Sequence, residues 1–386
     1  MVVIRGIRAR VNLYILNPKL RAAILKLNCR GAPNKFSLGI LMIQFGQSDS
    51  TRNLSFEKSN FRNSQSVSSR GVVSLALILS FLSLTCVSTL NAQDTETKKA
   101  PSASANQDPA STKPVADTDK AARKPKLKFV KNGGVVFKKT DTYELKCDVY
   151  VPEGDGPFPT ILAVHGGFWR SGTKFALLRH AWRMARAGYV VVAINYRHAP
   201  EHPFPAQIHD CKHAIRWMKE NKDTYKIDPD RIGAFGYSAG GNLVALLGTT
   251  EVADGLEGKV EPGLEAHSTR VKAVAAGGAP CEFSWIGDDS FVLNYWLGGT
   301  KRQKPKTFRA ASPTSFVTSD DPPFYLFHGE TDFVVPASTT KTMHEKLLAA
   351  GVESKYSVAE GYGHLGTFSD LTWMNNAIEF FDKHLK

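Results

Sequence analysis

The chain has 386 residues, ordinary globular composition and a formal net charge of +13, a balance that invites a nucleic-acid partner. Residues 1–70 carry 12 Lys+Arg against 2 Asp+Glu, whereas residues 127–386 carry 30 against 29. A nucleic-acid-binding domain wears its basic surface on the folded body; here the body is nearly neutral, so no nucleic-acid partner is expected.

The basic tail, residues 1–70, runs into an uncharged stretch, residues 71–92, whose core at 72–87 is almost wholly apolar or small. Arg70 in front and Ala92 behind give it the layout of a secretory leader. The stretch lies far from Met1, so two arrangements fit: a true start downstream of Met1 with a cleaved leader, or an uncleaved membrane tether with the basic tail on the cytoplasmic side. Either way an exported protein is expected, its mature form starting near Gln93 if the leader is cut. Residues 93–126 are rich in Ala, Ser, Thr, Pro, Lys and Asp and poor in large apolar side chains. Such a segment cannot bury enough surface to offset its ordering entropy and reads as a linker.

From residue 127 the pattern becomes that of one folded domain, 127–386. Residues 135–137 and 143–151 read as a hairpin, with Tyr143, Leu145, Cys147 and Val149 alternating. Continuous apolar runs follow at 160–164, 189–195, 232–236, 271–276 and 324–328, with a short one at 356–358; such runs suit parallel strands buried on both faces. Helical spacing appears at 177–186, 206–221, 242–248, 339–350 and 371–385. Strands alternating with helices predict a mainly parallel sheet covered on both sides. Residues 280–319 break the alternation and read as a flap, carrying Phe283, Trp285, Phe291, Tyr295 and Trp296 together with Lys301, Arg302, Lys304 and Lys306. Cys147, Cys211 and Cys281 are the cysteines of the domain, read as buried apolar side chains. His209 and His213 are spaced like a metal pair on a helix, but no third ligand accompanies them and no metal is expected.

The chemistry gathers at turns. Gly236-Tyr237-Ser238-Ala239-Gly240-Gly241 follows an apolar strand and opens a helix, the setting in which a serine is lifted clear of a sheet as a nucleophile. Small residues two before and two after the serine keep that turn free of collisions. A serine needs a base, and the base needs an orienting acid. Asp332 ends the 324–328 strand, with Glu330 as a near rival, and His364 stands in the glycine-rich loop Glu360-Gly-Tyr-Gly-His364. For the developing oxyanion the Ala239 N–H offers one donor, and His165-Gly166-Gly167-Phe168-Trp169 offers the other, from Gly167 or Phe168. Trp169, Tyr237 and Trp285 are candidate walls of a substrate pocket.

On these residues, together with Asn195-Tyr196-Arg197 and Ala199-Pro-Glu-His-Pro-Phe-Pro205, residues 140–386 resemble the α/β-hydrolase esterases of the hormone-sensitive-lipase-like and feruloyl-esterase-like (BD-FAE) branches. The resemblance implies an α/β fold with an eight-stranded, mainly parallel sheet and a cofactor-free carboxylic ester hydrolase working through Ser238, His364 and Asp332. Phe168 stands where the lipase-like branch has a fourth-position glycine, and Tyr237 where it has an aspartate; both are closer to the feruloyl-esterase and arylformamidase branch. The expected substrates are short-chain, aryl or carbohydrate esters. An arylformamidase or peptidase on the same triad and a catalytically silent binding protein are the alternatives.

Overall fold

The computed structural model describes residues 2–4, 7–9, 127–140, 142–288 and 290–386. The stretches read as leader and linker, residues 71–126, lie outside the described residues, as does all of the basic tail except its first short strands. There β1 (Val2–Ile4) pairs antiparallel with β2 (Ile7–Ala9), a hairpin the sequence reading does not predict.

The domain is built on one eight-stranded sheet. In chain order its strands are β3 (Phe129–Lys139), β4 (Glu144–Pro152), β5 (Phe158–Val164), β6 (Val190–Ile194), β7 (Ile227–Tyr237), β8 (Ala273–Gly277), β9 (Phe324–Gly329) and β10 (Ser354–Ala359). Across the sheet they lie in the order β10-β9-β8-β7-β5-β6-β4-β3. The pairs β3–β4 and β4–β6 are antiparallel and the rest are parallel. The helices are α1 (Leu178–Arg186), α2 (Ala206–Glu220), α3 (Lys222–Tyr225), α4 (Ala239–Thr249), α5 (Phe291–Leu297), α6 (Pro305–Ala310), α7 (Ala337–Ala349), α8 (His364–Ser369) and α9 (Leu371–Leu385). Among the described residues no helix is long and apolar enough to cross a membrane.

Both faces of the sheet are covered, which is why the strands read as continuous apolar runs rather than alternations. Leu162, Val164, Val192 and Ile194 point to the layer containing α2, α4 and α7. Their neighbours Ile161, Ala163, Val191 and Ala193 point to the layer of α1 and α9. α4 is buried along its whole length, and apart from Asn242 and Thr249 it carries glycine and aliphatic residues, with no charge. Cys147, Cys211 and Cys281 are free and buried; burial pushes the thiols of Cys147 and Cys281 up to about 12.

The insertion between β8 and β9 is more ordered than a flap read from sequence. It contains α5 and α6 and a short 3-10 turn, Pro313–Ser315. Ser290 caps α5, its Oγ accepting from Leu293 N, and Gly298 ends it at φ 75°. A Ser start and a Gly stop with seven residues between them were legible signals for this helix. Of its aromatic side chains Phe283 and Trp296 are buried, whereas Trp285 and Phe291 are exposed.

Candidate active site

The sheet's carboxyl edge brings the candidate residues together by register. β5 and β7 are parallel neighbours with Val164 opposite Gly236. Two residues further along each strand, Gly166 therefore faces Ser238. A Cβ added to Gly166 would lie 3.1 Å from Ser238 Cβ and 2.9 Å from Tyr237 O. On the far side of β7 the Ser238 N–H donates to Gly277 O at 2.8 Å. β9 and β10 are likewise parallel, with Gly329 opposite Ala359, so the loops carrying Asp332 and His364 leave the same edge side by side.

Ser238 sits at φ 58° and ψ −124° between β7 and α4, a region non-glycine residues adopt only where the surroundings impose it. The imposition is backbone against backbone. A Cβ on Gly236 would come within 2.2 Å of Gly240 O, and one on Gly240 within 2.1 Å of Val164 O. The first-turn amides of α4, Ala239 included, have no carbonyl partner within the helix, and a helix N-terminus favours negative charge.

Asp332 Oδ2 lies 2.6 Å from His364 Nδ1 and 3.1 Å from His328 Nε2. Its Oδ1 accepts the Val334 and Val335 N–H groups, both at 2.9 Å. Burial by itself would raise this carboxyl's pKa; the bonds from His328 and His364 outweigh it and hold the group well below the usual carboxylate range. An ionised Asp332 requires His364 Nδ1 to carry the proton, which leaves Nε2 as the basic nitrogen. Glu330, the rival acid, is exposed and accepts the Gly361 N–H at 2.9 Å, so its role is to tie down the loop before His364.

The glycine-rich loop after β5 runs through positive φ at Gly167 (124°), Phe168 (55°) and Trp169 (57°). Gly167 is required there, because a Cβ would strike Ser171 O at 2.1 Å. His165 beneath the loop is buried, and desolvation lowers its pKa to about 4. It stays neutral near pH 7 and donates Nδ1–H to Gly166 O at 2.7 Å. The 195–205 motif is its prop. Asn195 Oδ1 accepts the Lys174 N–H at 2.8 Å, Tyr196 stacks on the His165 ring with centroids 4.3 Å apart, and Arg197 pairs with buried Asp210 at 2.8 Å.

Two of the candidate pocket residues are buried. Trp169 is 3% exposed and lies flat on Trp296 at 3.6 Å. Tyr237, also 3% exposed, belongs to the layer of α1 and α9; its hydroxyl donates to His364 O at 2.6 Å and its ring packs near Phe368 and Phe327. Both fill the core under the site. Trp285 remains at the surface, with its Nε1 donating to Glu282 O at 2.9 Å. His328, not among the candidates from sequence, gains a place in the site by its contact with Asp332. Among the described residues no group of three or more His, Cys, Asp or Glu side chains is placed to hold a metal ion.

Comparison with known proteins gives a consistent picture. The family model described as BD-FAE matches residues 147–347. Esterase LipC of Mycobacterium tuberculosis is 33% identical over 221 residues, which cover 54% of this chain and 53% of that protein. Probable carboxylic ester hydrolase LipM of the same organism is 32% identical over 202 residues, 50% of this chain and 45% of that one. The chain thus spans about half the length of the curated relatives it matches. Among solved structures, a truncated carbohydrate esterase from gut microbiota superposes with a TM-score of 0.59 at 26% identity, covering 67% of this chain and 97% of that one. A butyrate-bound thermophilic esterase of Thermogutta terrifontis superposes with a TM-score of 0.55 at 25% identity, covering 67% and 94%. The eight-stranded architecture is the α/β-hydrolase fold.

Proposed function

The chain belongs to the BD-FAE family of α/β-hydrolases, and from that premise we propose that it is a serine carboxylic ester hydrolase with Ser238 as nucleophile, His364 as general base and Asp332 as the acid that orients it. His364 Nε2 takes the hydroxyl proton as Ser238 Oγ attacks the ester carbonyl. Asp332 fixes the imidazole tautomer and stabilises the imidazolium that forms. The tetrahedral oxyanion accepts from Ala239 N–H and from the N–H of Gly167 or Phe168. Collapse expels the alcohol, which takes its proton from His364, and leaves an acyl group on Ser238. A water activated by the same base then releases the acid.

The observation that carries the reading is one juxtaposition. A serine held at positive φ on a strand-to-helix turn shares its sheet edge with a buried Asp–His pair at 2.6 Å. Ser238→Ala should lower kcat on 4-nitrophenyl acetate by about 10³-fold or more with the fold retained; near-wild-type turnover would refute the assignment.

The substrate class we favour is short-chain, aryl or carbohydrate esters. Support comes from the carbohydrate esterase and butyrate-bound neighbours and from the insertion, whose buried Trp296 and Phe283 fill space beside the loop after β5. Across an acyl-length series kcat/KM should fall steeply from short to long chains. A preference for long chains with activation at an oil–water interface would contradict this, and faster turnover of aryl formamides or peptide amides than of esters would favour the neighbouring activity. Export through residues 71–92 is part of the proposal: the mature chain should start near Gln93, and a full-length chain with an intact N-terminus in the cytoplasm would count against it.

A further inference from the structure

The loop after β5 is gripped by its carbonyls, and one of the grips comes from the insertion. Tyr196 Oη donates to His165 O at 3.0 Å and His165 Nδ1 to Gly166 O at 2.7 Å. The Arg170 and Ser171 N–H groups donate to Gly167 O at 3.1 and 3.0 Å, and the Ala199 N–H to Trp169 O at 2.9 Å. Tyr295 Oη donates to Phe168 O at 2.6 Å. Each carbonyl from His165 to Trp169 is thus held. In a planar trans peptide the N–H points opposite to the C=O, so holding a carbonyl also fixes the direction of the amide that follows it.

Four of these grips come from the loop itself or from residues 196–199. The grip on Phe168 comes from α5, 127 residues further along the chain. It acts where the backbone is hardest to hold, because Phe168 and Trp169 both have positive φ, a conformation that non-glycine residues keep only under constraint. The peptide before Phe168 is pinned through Gly167 O; the peptide after it is pinned through Phe168 O. With both planes held, the Phe168 torsions have no freedom. If the second plane is released, Phe168 can relax toward negative φ, and the loop that carries its N–H loses an anchor on its far side.

The donor is well prepared. The Arg170 guanidinium lies 5.3 Å from the Tyr295 ring centre. Burial pushes the Tyr295 phenol up to about 12 against the pull of Arg170, so the hydroxyl keeps its proton. The next residue, Trp296, stacks on Trp169 at 3.6 Å and donates Nε1–H to Gln207 Oε1 at 3.0 Å. α5 therefore sets both positive-φ residues, one by a hydrogen bond and one by a stack.

We propose that Tyr295 is a positioning residue for transition-state stabilisation: by holding the Phe168 carbonyl, its hydroxyl keeps Phe168 at positive φ and so fixes the loop that presents the Gly167 or Phe168 N–H to the developing oxyanion. The assignment rests on the ester-hydrolase reading and extends it, since it makes the insertion part of the catalytic apparatus as well as a wall beside it. Tyr295→Phe keeps the ring, its packing and the guanidinium contact and removes only the donor. Fluorophosphonate titration first gives the fraction of competent sites in wild type and variant. Per titrated site, kcat on 4-nitrophenyl acetate should fall roughly 10- to 100-fold, with KM within about twofold. The inhibition constant of a trifluoromethyl ketone, whose adduct with the serine places an oxyanion in the same spot, should rise by the same factor. A labelled wild type together with a Tyr295→Phe variant whose kcat per site and inhibitor affinity are unchanged would overturn this assignment alone. A wild-type enzyme that takes no label at Ser238 would overturn the ester-hydrolase reading and this assignment with it.

Discussion

The two halves of the site are held by different means. Around Ser238 and the loop after β5, the constraint is backbone on backbone: Gly236 against Gly240, Gly240 against Val164, Gly167 against Ser171. Around Asp332 and His364, the constraint is side chains: two histidines and two amides on one carboxylate. Backbone packing admits no adjustment, because no rotamer can relieve it. Side-chain hydrogen bonds can be removed one at a time while the chain keeps its path. Substitutions at the glycines of the first half should therefore destroy the fold, and substitutions in the second should remove chemistry and leave the fold.

The largest effect is expected at Gly240. Its added Cβ would lie 2.1 Å from Val164 O and 2.6 Å from His165 O, so Gly240→Ala should cost about 4 kcal/mol or more. Loss of soluble, cooperatively unfolding protein is the expected outcome; a stable, active variant would break the comparison. In the other half, Asp332→Asn should leave the unfolding transition in place while kcat drops about 10³- to 10⁴-fold, because the tautomer of His364 is no longer fixed. Equal damage to fold and rate would blur the two halves into one.

Acid should separate the halves in time. His165 under the loop and His180, which packs against Phe235 and Phe368, are both lowered by burial from an ordinary 6.5 to about 4. Between these values the unfolded chain binds protons that the folded chain refuses, so stability is complete above pH 6.5 and is lost as pH falls toward 4. Each contributes on the order of 3 kcal/mol over that window. Asp332, held below the carboxylate range, loses its contribution only below about pH 4, as the pH falls under the unfolded value. The urea midpoint should decline steadily from pH 6.5 to 4, and His165→Asn or His180→Gln should each flatten part of the slope. An unchanged slope in both variants would remove the histidines from the account.

Smaller effects sharpen the contrast. Tyr237→Phe removes the one hydroxyl that links the strand-to-helix turn to the His364 carbonyl. It should lower kcat roughly tenfold, a difference of about 1.4 kcal/mol, with little change in KM; a change confined to KM would restore Tyr237 to the pocket. Glu330→Gln touches only an exposed loop bond and should leave kcat/KM within about twofold. If it proves more damaging than Asp332→Asn, the orienting acid is misplaced by two residues.

What could be read in advance follows the same division. The strand runs and Gly236–Gly240 were legible because backbone packing leaves its signature as glycine at fixed spacing and as uninterrupted apolar stretches. The Asp332–His364 pair could be narrowed from sequence, since both residues lie in loops that follow sheet strands, but the exposed side chain of Glu330 and its bond to Gly361 N–H were visible only in the structure. Trp169 and Tyr237 stand next to the site in sequence, but both side chains are buried, which no local pattern announces. Tyr295 was legible only as one of the aromatics of the 280–319 insertion. Its partner lies 127 residues away, and only the fold sets them together.

The central claim is that Ser238 is the nucleophile, and covalent labelling tests it without reference to any substrate. The full-length protein treated with an alkyl fluorophosphonate and digested for peptide mass mapping should carry one adduct, on Ser238, and the label should disappear in His364→Ala. An adduct on another residue, or no adduct on folded protein, would contradict the account.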